Sequence, residues 1–433
     1  MRKILTDLRS TLRQLRNSPG FTLVAIVILA LGIGATTAIY TLLDQALLRS
    51  LPVQNPDQLV QLNGSGTFDG HSSSEGGDIS NYFSYPMYLN LRDQNKVFSG
   101  VLAATPATVG LQWHDQQPEV ADAELVSGNY FDVLGVKPAL GRLLLPSDNL
   151  VKNGSPVIVL SFGYWQRHFG ADPGILNQTV GINGHPFPIV GVATPGFHSV
   201  LGGRTPAVFA PMMMKLEVEP GRDDLDNHQS RWLNIIARLQ PGMTRAKAQA
   251  GIQPLWHSLR VDELKNISNH SARFRVGFVE KSYLTLADGS KGYAPDLSDI
   301  RMPLLIVMAM AVLVLLMACA NVASLMLVRA AGRVREMSVR YSLGATRTQI
   351  VKQLLTEGLV LGLAGGALGL WIAPRVATLL ERRILDHTTG ELPFSTHPDL
   401  RILAFTLAVS IAVSLLFSVA PALQFWRPDV TPA

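Results

Sequence analysis

The sequence predicts an α-helical membrane protein with four transmembrane helices and a large mixed α/β domain inserted between the first and the second. Three observations carry that prediction. The 433 residues are 47% apolar and only 16% charged, against about 25% charged in an ordinary soluble domain, and the mean hydropathy is +0.22. Four charge-free stretches, 21–43, 303–328, 358–374 and 402–426, have 23, 26, 17 and 25 residues, near or above the ~20 that cross a bilayer. The excess of basic residues lies beside these stretches and on one side of them.

The first stretch alone reaches roughly 34 Å at 1.5 Å per residue. The third is short, but mostly apolar residues flank it at 350–356 and 376–380. Residues 1–20 hold five basic groups and one acid, and 329–357 hold six basic groups against Glu336 and Glu357. Residues 375–401 are balanced at four and four, and 44–301 have 21 basic against 24 acidic residues. The positive-inside rule then places both termini and the segment after the second helix in the cytoplasm. It also accounts for the net charge of +5 without nucleic acid as a partner. The organisation that follows is a cytoplasmic amphipathic segment at 1–20, helix one at 21–43, an outer domain at 44–301, helix two at 302–328, an inner elbow at 329–349, helix three at 350–374, an outer loop at 375–401, helix four at 402–426 and a tail at 427–433.

A cleaved signal peptide competes for residues 1–43. The apolar run exceeds the usual 7–15 residues of a signal and no A-x-A site follows it, so a retained anchor is expected. Ahead of it Ile4, Leu5, Leu8, Leu12 and Leu15 recur at helical spacing with Arg9, Arg13 and Arg16 to one side. That pattern fits an interfacial amphipathic helix or an ordinary basic flank, and both readings stay open.

In the outer domain PVIVLS at 156–161 reads as a strand leading into a helix around Tyr164. Asn183-Gly184 between apolar runs is a hairpin signal. The run 232–239 reads as a strand, and after Pro241-Gly242, Thr244 suits the N-cap of a helix through Ala250. The Gly/Ser-rich stretch 63–80 reads as a mobile connector. Chemistry-bearing motifs are missing: no phosphate loop, GxGxxG after a strand, HExxH or GxSxG occurs. Cys319 is the only cysteine, which excludes an internal disulfide and Cys-rich zinc sites. His185 and His198 near the hairpin and the cluster Asp223, Asp224, Asp226 are the remaining cation candidates, with surface roles the simpler reading. No catalytic, cofactor-binding or metal-ligating residue is expected.

Within the spans, Gly358, Gly362 and Gly366 recur every four residues, as do Gly365 and Gly369, and Ala30, Gly34 and Ala38 repeat the spacing in the first helix. Small residues so placed let helix backbones approach closely. Packing within a four-helix bundle accounts for them, and a functional reading adds a slidable interface with a second subunit. Asn321 and Ser324 are expected to bond across helices. In the inner elbow Glu336 and Arg340 are i,i+4 partners, Gly344 suits a helix end, and Thr346 with Gln349 forms a capping box. The segment reads as a helical elbow joining two spans.

REMSVRYSLGATRTQIVKQLLTEG resembles the coupling segment of MacB/FtsX-type ABC transporter permeases. LRQLRNSPGFTLVAIVILALGIGATTAIYTLLDQALLRSLP is similar to the start of the same superfamily, in particular one half of the acidobacterial-type duplicated permeases. ELVSGNYFDVLGVKPALGRLL and VIVLSFGYWQRHFGADPGILNQTVGINGHPFPIVGVATPGF resemble their periplasmic core domain. The resemblance implies an inner-membrane permease whose periplasmic α/β domain follows helix one, and an elbow with Arg333, Glu336, Arg340, Leu343, Gly344, Ala345, Thr346 and Arg347 seated on a cytoplasmic ABC ATPase. ATP would bind that partner and no cofactor would bind this chain. A second protomer or repeat, a periplasmic adaptor and membrane lipid complete the implied partners. The implied activity is mechanotransmission for export or efflux of an amphipathic or peptide-like substrate. A membrane-anchored sensor or scaffold with a periplasmic ligand-binding domain is the alternative. No nucleotide-binding domain is fused, and the chain stops at Ala433, as a dimerising single repeat or the first half of a longer product.

Overall fold

The computed structural model describes residues 11, 13–44, 49–72, 79–114, 116–202, 204–221, 223–267, 271–293, 295–332, 347–384 and 399–424. The chain divides into two compact units, one holding the helices at both ends of the sequence and one spanning Ala46–Asp299 with His387–Pro393.

The helical unit contains α1 (Pro19–Leu43) and three helices from the C-terminal part of the chain. Pro19 opens α1, where a fixed φ is pre-set for the first turn and no backbone donor is lost. The three later helices follow the α/β unit in sequence. They are Pro295–Ala331, Arg347–Ile384 and Leu400–Gln424. Each of the four holds a stretch long and apolar enough to cross a membrane: Pro19–Leu43, Met302–Arg329, Val351–Leu379 and Leu400–Ser418. The third helix extends well beyond the expected 350–374 because Pro374 does not end it. A proline inside a helix removes one backbone bond and crowds the preceding turn. Here Arg375 Nη1 donates to the Trp371 carbonyl at 2.7 Å and Thr378 Oγ1 to the Pro374 carbonyl at 2.9 Å.

In the second unit a ten-stranded mixed sheet runs in the order β12-β1-β11-β3-β4-β9-β6-β8-β5, with β7 bonded to β3 and β8. The strands are β1 (Leu59–Gly64), β2 (His71–Ser72), β3 (Phe98–Trp113), β4 (Glu119–Val126), β5 (Pro138–Gly141), β6 (Ile158–Leu160), β7 (Thr179–Ile182), β8 (His185–Ala193), β9 (Val208–Pro211), β10 (Ser230–Arg231), β11 (Asn234–Leu239) and β12 (Leu284–Asp288). The helices that pack on them are α2 (Tyr85–Gln94), α3 (Tyr130–Leu134), α4 (Phe162–Phe169) and α5 (Arg245–Leu264), besides the one-turn segments Lys215–Val218 and Ala272–Arg275, and the three membrane-length helices that follow are labelled α6, α7 and α8.

The 16-residue β3 is the spine. Its first part pairs with β11 at Gly100–Ala104, its last three residues pair with β7, and β4 pairs with it at Ala104–Leu111. One core, with Trp232, Trp256, Phe83 and Tyr88, lies where α2 and α5 pack on β1, β11 and the start of β3. A second, with Trp165, Phe187 and Ile189, lies under α4. A third gathers Tyr130, Phe131, Phe197 and Phe209.

Local signals hold where hydrogen bonds are short-range. Asn183 and Gly184 take φ of 49° and 86° between β7 and β8, the pair of positive values a type I′ turn needs. Ser161 and Thr244 accept from the backbone N–H of Tyr164 and Lys247. Two expectations are corrected. The helix that Thr244 caps runs on through Pro254 to Leu264, because Ile252, Trp256 and Leu259 are buried in the first core. The stretch 63–80 is not wholly a loose connector: β2 pairs with β10, and Thr67 and Phe68 are held by arginines of neighbouring elements. Residues 73–78 lie outside the described residues.

Candidate functional site

The helical unit is the candidate site, because the small residues singled out from the sequence converge on α7. Gly365 and Gly369 face α1. A Cβ placed on Gly369 would lie 3.0 Å from both the Ala30 carbonyl oxygen and the Gly34 nitrogen, and one on Gly34 would lie 3.1 Å from the Gly369 carbonyl oxygen. One on Gly365 would meet the Leu29 Cβ at 2.7 Å. At Gly34 and Gly369 the approach is backbone to backbone and tight for any added carbon, and at Gly365 it is against the first side-chain carbon of Leu29. Gly358, Gly362 and Gly366 face α8, where a Cβ would overlap the hydroxyls of Ser418, Ser414 and Ser410 in turn.

The hydroxyls of Ser410 and Ser414 turn back on their own helix, as does that of Thr406 one turn earlier. Thr406 donates to the Ile402 carbonyl at 2.8 Å, Ser410 to Thr406 at 2.7 Å and Ser414 to Ser410 at 2.5 Å. Across α1 and α8, the Thr37 and Thr406 hydroxyls lie 3.2 Å apart and Tyr40 stacks on Phe405 at 3.8 Å. Ala30 and Ala38 are fully buried. Both glycine rows are therefore filled by helices of this same chain.

Asn321 and Ser324 depart from expectation. Ser324 donates to the Ala320 carbonyl of its own helix at 2.9 Å, and Asn321 is exposed.

Where α1 begins, a polar cluster that the sequence did not announce joins three segments. Gln14 accepts from Arg329 and Gln353, and Glu357, with only 2% of its surface exposed, lies one turn beyond Gln353 on α7. The signal available was Glu357 at the border of an apolar run. The elbow residues Arg333, Glu336, Arg340, Leu343, Gly344, Ala345 and Thr346 lie outside the described residues, as does Gln349's capping partnership with Thr346. Arg347 is the first residue of α7.

Two buried polar clusters mark the α/β unit. Glu124 on β4 accepts from the Tyr130 hydroxyl at 3.0 Å and from the Ser199 hydroxyl. Burial pushes its carboxyl up to about 7, against the smaller opposing pull of those bonds and the Arg204 charge. The same Tyr130 oxygen accepts from the Val200 N–H at 3.2 Å, so the cluster fastens the loop after β8. That loop bonds in turn to Tyr293, whose N–H donates to the Val200 carbonyl at 2.7 Å.

In the second cluster Arg260 bonds Glu263 at 2.6 Å, the Thr67 carbonyl at 2.7 Å and the Phe278 carbonyl at 3.1 Å. Arg231 lies 3.9 Å from Glu263, and its guanidinium stands 4.0 Å from the centre of the Phe68 ring. Burial lowers the Arg231 guanidinium to about 10, against the Glu263 charge.

The cation candidates do not assemble. Lys152 bonds Asp223 at 2.9 Å and Asp226 at 2.6 Å. His198 is lowered by burial and by the nearby Arg167 charge, while His185 is exposed. Among the described residues no group of three or more His, Cys, Asp or Glu is placed to hold a metal ion.

The family model for the MacB-like periplasmic core domain matches residues 22–255, and that for the FtsX-like permease C-terminal region matches 308–429. The chain belongs to the MacB/FtsX-type permeases. This permease is 26% identical over 305 residues to the macrolide export ATP-binding/permease protein MacB of Hahella chejuensis, covering 70% of this chain and 41% of that protein. It is 25% identical over 310 residues to a probable syringafactin export ATP-binding/permease protein, SyfD, of Pseudomonas syringae pv. tomato, covering 71% and 41%. The permease thus spans under half the length of these curated relatives. Among solved structures, the periplasmic region of MacB from Actinobacillus actinomycetemcomitans matches with TM-score 0.36 and 20% identity, over 50% of this chain and 94% of that one. The permease is a membrane protein whose large α/β domain, of the periplasmic core type, is inserted between its first and second membrane helices.

Proposed function

We propose that this permease is the non-catalytic membrane subunit of an ABC exporter in a bacterial inner membrane. Both termini and the 333–346 elbow are cytoplasmic, and the α/β domain is periplasmic. ATP binding and hydrolysis on a separate ATPase would displace the elbow through Arg333, Glu336, Arg340, Leu343, Gly344, Ala345, Thr346 and Arg347. The helices would tilt, and the periplasmic domain would change shape to export an unidentified substrate. The observation that carries the reading is the ordered presence, in one chain, of the periplasmic-core and FtsX-like regions. The glycine rows of α7 support it. They bind α7 closely to α1 and α8 without interlocking long side chains, so force applied to α7 would be shared by all three.

The test is co-purification of the tagged permease from its native membrane. A companion with a Walker motif is expected, and Gly344→Pro or Arg340→Glu should leave it bound while lowering permease-dependent ATP turnover at least ten-fold. Reporter fusions at Ser290 and Thr346 should fall on opposite sides of the membrane. Unchanged turnover in both variants removes the elbow from the mechanism. A kinase or cyclase in place of the ATPase would instead support the sensor reading.

A further inference from the structure

The helical turn at Arg13–Arg16, ahead of α1, belongs to neither helix that leads into or out of residues 333–346, yet it bonds both. The Gln14 backbone carbonyl accepts from Arg329 Nη2 at 3.0 Å, and the Gln14 side-chain oxygen accepts from Gln353 Nε2 at 3.1 Å. Arg329 lies in the last turn of α6, and Gln353 in the second turn of α7.

The turn itself is held in place. Leu15 is buried among Leu29, Val322, Met326 and Leu361, and Thr22 Oγ1 donates to the Leu15 carbonyl at 2.8 Å and the Ser18 carbonyl at 3.0 Å. The Arg329 guanidinium lies 4.8 Å from the centre of the Phe21 ring, a cation–π distance that adds a second hold between α6 and the start of α1. Polar bonds with little water around them are stronger and more directional than in water, so a few of them fix geometry where apolar packing alone would allow sliding.

We propose that the turn before α1 is a clasp with Gln14 as its positioning residue. It holds the ends of α6 and α7 at fixed spacing, so that a displacement of the segment between them reaches α1 directly. The consequence for mechanism rests on reading 333–346 as the ATPase-facing elbow, whereas the clasp itself rests on the contacts alone. Gln14 thereby gives the motor a path to the periplasmic domain through α1, in addition to the path through α6.

The experiment is pulsed electron–electron distance measurement on the full chain in lipid nanodiscs, with spin labels on Arg16→Cys and Lys352→Cys in a Cys319→Ser background. Arg16 and Lys352 are both exposed. The wild-type background should give one narrow distance. Gln14→Met, which keeps the length and removes the side-chain acceptor of the Gln353 bond while leaving the backbone acceptor of the Arg329 bond, should broaden it at least two-fold. Gln353→Met should do the same, and the pair of substitutions no more than either alone. An unchanged width in Gln14→Met, with unaltered helicity, overturns the clasp.

In the complex with the co-purified ATPase, the distance should stay fixed on adding ATP in the wild-type background and shift in Gln14→Met. A wild-type shift with ATP refutes the clasp while leaving elbow coupling standing. Label pairs on the elbow that ignore ATP would refute the elbow and leave the nanodisc distances untouched.

Discussion

Replacing Glu124 by Gln should abolish one identifiable component of the pH dependence of stability. The wild-type carboxyl is buried within the α/β unit and held near 7, where an unfolded chain would titrate at 4.5. Between those values the folded state binds a proton that the unfolded state has released, so stability falls as pH rises. Its contribution is fully present below pH 4.5 and lost by about pH 7 and above. A rise from 4.5 to about 7, at 1.36 kcal/mol per unit, makes the loss ~3 kcal/mol. For a domain of this size that corresponds to roughly 6–12 °C in melting temperature.

The amide of the Glu124→Gln variant would be neutral throughout. The assay is thermal unfolding of the detergent-solubilised chain between pH 4.5 and 8, read by fluorescence of Trp113, Trp165, Trp232 and Trp256. The difference between wild type and Glu124→Gln should swing by ~3 kcal/mol, with the wild type relatively better at the acidic end. A difference that stays flat, or swings the other way, would refute the assignment of a buried, largely protonated carboxyl.

Gly369→Ala should destabilise the helical unit by about 1–3 kcal/mol in denaturation by SDS, the usual cost of overpacking, because the added carbon meets backbone atoms of α1 at 3.0 Å. Gly20→Ala, with nothing within 4 Å of the added carbon, should be neutral or slightly stabilising in the same measurement, as expected for removing a glycine from a helix. Arg260→Met should lower the stability of the α/β unit by about 3–5 kcal/mol, since it leaves Glu263 buried beside a single distant arginine. Adding Glu263→Gln should recover much of that loss in thermal unfolding, and failure to recover would show that packing around Phe68 and Phe278 dominates.

Much of the architecture is legible in the residue order. The spans are visible because an uncharged run of apolar residues has one stable environment. The turn at Asn183-Gly184 and the caps at Ser161 and Thr244 are visible because each bond closes within a few residues. The end of α5 is not, since Pro254 is a local stop signal that burial of Trp256 overrides. Glu124 reads as one of three acids, with Glu119 and Asp122, in the strand EVADAELV, so the run by itself does not single it out. Arg260 and Glu263 are an i,i+3 pair on α5, but their burial gives no signal, because Arg231, Phe68 and Thr67, which complete the cluster, lie far away in sequence.

The glycine rows show the division most plainly. Spacing alone established that α7 has two faces able to approach another backbone closely, and composition established that this happens inside a membrane. Which backbone meets which face was decided by packing: Gly369 meets Gly34 of α1, and Gly362 meets Ser414 of α8. The Gln14 bridge, joining residues 315 and 339 positions apart, was decided the same way. Apolar content and turn chemistry act residue by residue and can be read along the chain, whereas a contact between distant residues exists only once the folded helices fix where each side chain points.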